Sequence, residues 1–152
     1  MSIGSNQLPA KSIYGRLNSV GAFTGLVYPE NNNVSDNINA GGQATHYLTY
    51  GFRNTIPTPT KSGISQLDTI TCLVNLFVSP GSGYQRLHSF CGIIRDQIDG
   101  YRAPAPADTG DSSTEYIQSC SFVNIETGFL AEMGVEGLYF ATLEFDIRIS
   151  KN

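Results

Sequence analysis

The chain has 152 residues, of which 40% are apolar and 14% are charged, and its formal net charge is −4. This length predicts a single domain over residues 1–152. The acidic balance argues against a dedicated nucleic-acid binder, which would carry a basic patch. The charged fraction is low beside the average of about 25%, and such a surface is typical of a protein largely covered by partners.

Three cysteines, Cys72, Cys91 and Cys120, lie inside periodic segments. Their odd number and the absence of a CxxC spacing predict reduced, packed thiols in a cytosolic product. The sequence has no charged region followed by an apolar run, which is the pattern of an export signal. The longest apolar stretch is far shorter than the ~20 residues that span a bilayer. We therefore expect neither export by that route nor a membrane-embedded protein.

The first part of the chain predicts a short helix and a short strand. Pro9 suits the first turn of a helix over Leu8–Ser19, and Ile13 and Leu17 fall on one of its faces. Leu26–Tyr28 then predicts a strand. The Asn- and Gly-rich residues 30–43 predict a long loop, which in a compact domain is usually functional or ordered by a partner.

The next segments predict two strands joined by a long connection. Thr45–Arg53 alternates apolar and polar residues, and residues 54–66 contain prolines and a glycine that favour a loop. Residues 67–79 are dense in β-branched and apolar side chains with a two-residue period. Both faces of this strand carry apolar residues, so we expect helices on one face and a further cover on the other, such as another copy of the chain.

A tight turn at residues 80–83 leads into a predicted helix. Its apolar residues recur at steps of three and four, Ser82 is placed to cap its start, and Gly100 is expected just past its end. The stripe consists of Tyr84, Leu87, Cys91, Ile94 and Ile98.

Two further strands close the chain after a Pro- and turn-rich connection at residues 102–114. In Glu115–Glu126, Tyr116, Cys120 and Phe122 are predicted to face one way and Ile117, Val123 and Ile125 the other. A loop is predicted over residues 127–137. In residues 138–150 the apolar face is Tyr139, Ala141, Leu143, Phe145, Ile147 and Ile149, and the opposite face is Thr142, Glu144, Asp146 and Arg148.

These segments give the order α-β-β-β-α-β-β and an α+β fold. We expect a mostly antiparallel β-sheet with two helices packed on one face, in which the last two strands form a hairpin.

No catalytic, cofactor or metal constellation emerges from the sequence. The glycines at Gly81–Gly83 lack the third glycine of a dinucleotide fingerprint and the Lys-Ser/Thr pair of a P-loop. His46 and His88 have no second ligand at metal spacing. Glu144 and Asp146 could form a paired carboxylate site, but Arg148 continues the same row, which favours a solvated or intersubunit salt-bridge ladder.

The chain resembles the tail-completion and tail-terminator proteins of long-tailed bacteriophages. The similar segments begin with IYGRL and FTGLVYPENN, continue with TITCLVNLFVSPGSGYQRLHSFCGIIRDQIDG, and end with YIQSCSFVNIETGF and GLYFATLEFDIRIS. They span most of residues 13–150, and the likeness rests on element order, spacing and pattern. Residues 30–43 and 54–66 are longer than in that family.

The resemblance implies a virion neck protein, made in the bacterial host cytoplasm, without catalytic role or cofactor. It would form a homohexameric ring that caps the tail tube, stops its polymerisation and meets the head-side connector or adaptor. DNA would pass through the lumen without specific binding. The contact surfaces would be the loop at 54–66 and the row on the last strand; they include Thr58, Pro59, Thr60, Glu144, Asp146 and Arg148.

Two other hypotheses remain open on the sequence. One is a head–tail adaptor or another neck or tail structural subunit, which would differ in ring size and neighbours. The other is a small enzyme or ligand-binding α+β domain with a pocket beneath the loops.

Overall fold

A computed structural model describes residues 7–30, 46–58, 66–79, 84–102, 115–130 and 138–151. Its helices are α1 (Gln7–Asn18) and α2 (Tyr84–Ile98), and its strands are β1 (Val27–Pro29), β2 (His46–Thr58), β3 (Gln66–Val78), β4 (Glu115–Leu130) and β5 (Leu138–Lys151). The strands form one sheet in the order β1-β2-β3-β5-β4. Only β1 and β2 run parallel, and the other neighbouring pairs are antiparallel. The predicted α+β class and element order are confirmed.

Both helices cover the same face of the sheet, as predicted. Ile13 and Leu17 of α1 are fully buried in the same cluster as the apolar stripe of α2. The two helices also contact each other directly, since Arg16 Nε donates a hydrogen bond of 2.8 Å to the Gln97 carbonyl. Gly100 has φ of +80° just past α2, a conformation that glycine adopts without a Cβ penalty.

The core is built from alternate residues of the two central strands. These side chains are 0–3% exposed, and full burial of each Val, Leu, Ile or Phe among them stabilises the fold by about 1.5–3 kcal/mol. They are Ile70, Cys72, Val74, Leu76 and Val78 of β3 with Ala141, Leu143, Phe145, Ile147 and Ile149 of β5. The predicted stripe of α2 packs onto them, except that Tyr84, at the first turn, is 43% exposed.

The predicted loop at residues 54–66 is wrong at both of its ends. β2 continues to Thr58 and β3 begins at Gln66, so residues 59–65 separate the two strands. The alternation of apolar and polar residues predicted for Thr45–Arg53 does not continue to Thr58, because a register shift between Arg53 and Ile56 adds an extra residue to β2 only. Pro57 is tolerated there because, within the described residues, β1 pairs only with Leu48–Tyr50 and this end of β2 is an edge.

The prediction for β4 is also wrong in two respects. The strand extends to Leu130 instead of ending at Glu126, so part of the predicted loop at 127–137 is strand. Ile117 and Cys120 are both buried in the core, although their spacing predicts opposite faces. A register shift between Ile117 and Ser119 changes the phase of the alternation.

The predicted loops at 30–43 and 102–114 lie outside the described residues, apart from Glu30 and Arg102. The turn at 80–83, including the predicted cap Ser82, also lies outside them.

Candidate assembly surfaces

The face of the sheet opposite the core carries no helix within the described residues. We call it the helix-free face. Strand register assigns to it the residues that alternate with the core set: Tyr47, Thr49, Gly51 and Arg53 of β2; Thr69, Thr71, Leu73, Asn75 and Phe77 of β3; and Phe140, Thr142, Glu144, Asp146 and Arg148 of β5.

One end of the helix-free face is aromatic. The rings of Tyr47 and Phe77 stack with centroids 4.8 Å apart, and Phe140 lies opposite Phe77 on the next strand. Burial raises the pKa of the Tyr47 phenol above its ordinary value. The ring of Phe140 covers Gly128 of β4, where an added Cβ would lie 2.7 Å from a ring atom. This end of the face is therefore a packed surface.

The middle of the helix-free face is a hydrogen-bonded band across three strands. Asn75 Nδ2 donates to Thr49 Oγ1 at 3.2 Å, and Thr142 Oγ1 donates to Asn75 Oδ1 at 2.8 Å. Because the amide of Asn75 uses both its donor and its acceptor, it fixes β2 and β5 against β3.

An ion pair closes the β2 side of the face. Arg53 Nη2 lies 2.7 Å from Glu30 Oε1, and both side chains are partly exposed, so we expect a contribution of at most about 1 kcal/mol. The Glu30 side chain lies against Gly51, where a Cβ would clash with its carboxylate. Gly51 thus permits Glu30 to reach Arg53.

The predicted row of Glu144, Asp146 and Arg148 lies on the central strand β5, on the helix-free face. Glu144 and Asp146 are half-buried and Arg148 is exposed. Their cross-strand neighbours are uncharged: Leu73, Thr71 and Thr69 on β3, and Asn124, Ser121 and Ser119 on β4. The only ion pair between side chains that the structure describes is that of Arg53 with Glu30. Within these residues, Glu144, Asp146 and Arg148 therefore form no salt-bridge ladder. The role of this row in assembly stays a prediction.

The other predicted contact residues lie at the far end of β2. Thr58 is the last residue of that strand and is opposite Leu67 of β3, instead of lying in a loop. Pro59 and Thr60 lie outside the described residues. Thr58 is therefore separated from the charged row on β5 by strand β3.

Within the part of the chain that the structure describes, the outer edge of β4 is covered along only part of its length. The turn after α2 supplies hydrogen-bond partners to the backbone in the middle of this edge. The Gly100 amide donates to the Cys120 carbonyl at 2.8 Å, and the Phe122 amide donates to Asp99 Oδ1 at 3.1 Å. Beyond this point, Asn124–Leu130 pairs with β5 in regular register. In the described ranges, no strand or backbone hydrogen bond meets the outer side of this segment, which we call the free edge of β4.

An apolar patch lies along this free edge, on the core face of the sheet. Ile125 is 39% exposed and Phe129 is 51% exposed, although they lie opposite the core residue Leu143 and the partly buried Tyr139. The rings of Tyr84 and Phe129 flank Tyr139 at 5.4 and 5.1 Å. We call Tyr84, Ile125, Phe129 and Tyr139 the edge patch. The sequence prediction missed it because it placed Phe129 in a loop; the apolar spacing of Ile125 and Phe129 was the available signal.

The surroundings of the histidine and cysteine side chains indicate structural roles. His46 Nε2 lies 2.6 Å from the Ala22 carbonyl, and its ring packs against Phe90 at 4.5 Å. His88 packs edge-on against Tyr84. Burial raises the pKa of Cys91 to about 11 and that of Cys120 to about 12, and the pKa of Cys72 also rises, so these thiols are poor nucleophiles.

The described residues contain no group of three or more His, Cys, Asp or Glu side chains that could hold a metal ion. None of the described helices has the length and apolar character needed to cross a membrane.

Comparison with known proteins gives a result by structure only. No model of a known protein family matches the sequence, and no curated protein does. The fold is similar to that of a chain in the virion of a native gene transfer agent (GTA) particle, with a TM-score of 0.64 and 12% sequence identity. The match covers 98% of this chain and 99% of that chain, so the two share one fold along nearly their whole length.

Proposed function

We propose that this chain is a structural subunit of a phage-like virion. In this role it forms a homohexameric ring that caps the tail tube, stops tube polymerisation and joins the tube to the head-side connector. The observation that carries the proposal is the similarity, over 98% of the chain, to a chain of a gene transfer agent virion. Element order and strand pattern support the finer role, because they resemble those of tail-terminator proteins.

The character of the described surface supports an assembly role. The helix-free face is mostly uncharged, and the half-buried Glu144 and Asp146 lie on its β5 strand. Such a surface can lie against a neighbouring subunit, or it can line a conduit, because carboxylates and hydroxyls do not hold DNA phosphates as Lys and Arg do. DNA therefore passes the ring without specific binding.

The role is tested by the particle that forms without the protein. Deleting the gene in the producing cells should leave heads full of DNA and free tails of uncontrolled length, as seen by negative-stain electron microscopy. Tails of normal length that fail to join heads would support the head–tail adaptor instead. Intact, infectious or transfer-competent particles would contradict both roles.

The ring is tested separately with purified protein. Native mass spectrometry should show a hexamer, or a monomer that assembles on added tail tubes. A monomer that ignores tail tubes and binds a small metabolite would support a ligand-binding domain.

The charged row offers a test at residue level. Replacing Glu144 and Asp146 with Lys should weaken assembly and leave the monomer folded, because both carboxylates lie on the surface opposite the core. Asp96→Lys is a matched control for Asp146→Lys, since it makes the same charge change on an exposed position of α2. Unchanged assembly of the row variants would remove the row from the interface.

A further inference from the structure

The outer surface of the helix layer is basic. Its two helices contain four basic residues and one acidic residue, and all five are exposed: Lys11, Arg16, Arg86, Arg95 and Asp96. The guanidinium of Arg95 lies over the ring of Phe122, with its Cζ 4.1 Å from the ring centroid. Within the described residues, Arg95 takes part in no ion pair.

The helix-free face is acidic along β4 and β5. It carries the carboxylates of Glu144 and Asp146 on β5, and strand register places Glu126 of β4 on the same face. Among the described residues of these two strands, Arg148 is the one basic residue on that face, and the ion pair on the β2 side is neutral as a whole. The two outer surfaces of the subunit are therefore complementary in charge, which favours and orients their association.

The guanidinium of Arg95 lies directly across the sheet from two of these carboxylates. Phe122, on which Arg95 rests, packs against Phe145 on the core face, with ring centroids 5.8 Å apart. Phe145 lies between Glu144 and Asp146 in β5, and successive side chains of a strand point to opposite faces. Arg95 and the two carboxylates therefore occupy the same position in the plane of the sheet, on opposite sides of it.

This arrangement has a geometric consequence in a ring. A ring repeats its subunit by rotation about one axis, so every atom keeps its height along that axis and its distance from the axis. When the helix layer of one copy rests on the sheet of the next, the plane of the sheet contains both of these directions. Groups that lie across one copy from each other then face each other at each junction, so Arg95 meets Glu144 and Asp146.

We propose that the helix layer of one copy packs on the helix-free face of the next, with Arg95 donating hydrogen bonds to Glu144 and Asp146 of that copy. This inference rests on the proposed ring and specifies the two surfaces that form its junction. The contact is heterologous, because two different surfaces meet, and such contacts close into rings. A guanidinium suits this position because its planar fork of donors matches carboxylate oxygens.

Reversing the charges one at a time and then together tests the pair. Arg95→Glu and Asp146→Lys should each raise the dissociation constant of the assembly about 10-fold or more, because each places like charges on both sides of the junction. In the combined variant opposite charges face each other again, so most of the lost affinity should return. Native mass spectrometry over a dilution series measures the three variants, and far-ultraviolet circular dichroism checks that each is folded.

Arg86→Glu is the matched control for this rescue. It makes the same charge change on an exposed position of α2, about 14 Å from Arg95 along the helix. Its effect on assembly should simply add to that of Asp146→Lys, without rescue. Asp96→Lys adds a positive charge to the helix side and should not weaken assembly.

A cross-link identifies the two surfaces while leaving the charged residues in place. Gly92→Cys lies on the exposed side of α2, and Ser121→Cys lies on the helix-free face opposite Asp146. A short bismaleimide should join the two cysteines between copies in the ring, because the sheet separates them within one copy. Either single variant should give no cross-linked dimer.

The outcomes separate the junction from the ring. Dimers cross-linked through Ser121→Cys alone would show that the sheet face meets its own copy, which would overturn the proposal. A stable ring that keeps its affinity in Arg95→Glu, or whose loss of affinity Asp146→Lys does not restore, would overturn the junction and leave the ring in place. A wild-type protein that forms no ring, alone or on tail tubes, would overturn both.

Discussion

Replacing Gly128 with Ala tests the packing of Phe140 across the helix-free face. The new Cβ would lie 2.7 and 2.8 Å from two ring atoms of Phe140, against about 3.5–4.0 Å for an ordinary carbon contact, so the ring must move by about 1 Å. Overpacking of this kind costs about 1–3 kcal/mol, and the lower entropy of the unfolded alanine chain offsets about 0.4–1 kcal/mol. We expect a net loss of about 1–2 kcal/mol in the free energy of unfolding.

Gly92→Ala is the matched control, with the opposite expected sign. Gly92 lies in α2 with no atom within 4 Å of an added Cβ. Alanine should stabilise the helix there by about 0.5–1 kcal/mol. Urea denaturation followed by circular dichroism measures both variants, at one protein concentration because association shifts apparent stability. In thermal melts the Gly128 variant should lose about 2–8 °C.

The cause is isolated by trimming the ring. In a Phe140→Leu background, Gly128→Ala should cost clearly less than in the wild type, because the atoms it meets have been removed. An equal cost in both backgrounds, or a Gly128 variant as stable as the wild type, would refute the steric reasoning.

Three further predictions concern hydrogen bonds and thiols. Asn75→Ala should lower the free energy of unfolding by about 1–3 kcal/mol, because it leaves two threonine hydroxyls without their partner; a urea midpoint equal to the wild type would contradict this. Burial raises the folded pKa of Cys91 to about 11 and that of Cys120 to about 12, whereas the thiols of the unfolded chain ionise near pH 8.5. The stability that these thiols contribute should therefore be complete below about pH 8.5 and should fall as the pH rises toward 11–12. Urea unfolding curves that stay unchanged from about pH 8 to 10 would count against this prediction. Asp99→Ala should speed hydrogen exchange at the Phe122 amide, which loses its acceptor, and an unchanged exchange rate would show that the bond is not maintained in solution.

The sequence predicted the parts of the fold that strict periodicity determines. The alternation in β3 and β5 predicted their buried faces, and the spacing from Leu87 to Ile98 predicted the buried side of α2. The errors fall where a bulge changes the phase of a strand, between Arg53 and Ile56 and again after Ile117. A bulge is a property of paired strands, so the pattern of one strand alone does not reveal it.

The candidate surfaces were predicted less completely than the fold. The sequence identified the charged row on β5 and its face, because the last strand alternates cleanly. It did not predict the edge patch, since that depends on β4 being an outer strand and on the turn after α2 covering only part of its edge. The outer position of β4 follows from the order of strands in space, in which β5 enters the sheet between β3 and β4.

That insertion of β5 has a consequence for synthesis on the ribosome. β3 and β4 are both translated before β5, and each acquires its partner on that side only when residues 138–151 have emerged. Until then β3 lacks a partner on one side and β4 lacks its β5 partner, and a message truncated before this point would leave β4 unjoined to the sheet of β1, β2 and β3. A polypeptide that lacks β5 should therefore be retained by chaperones or degraded before it can join a particle.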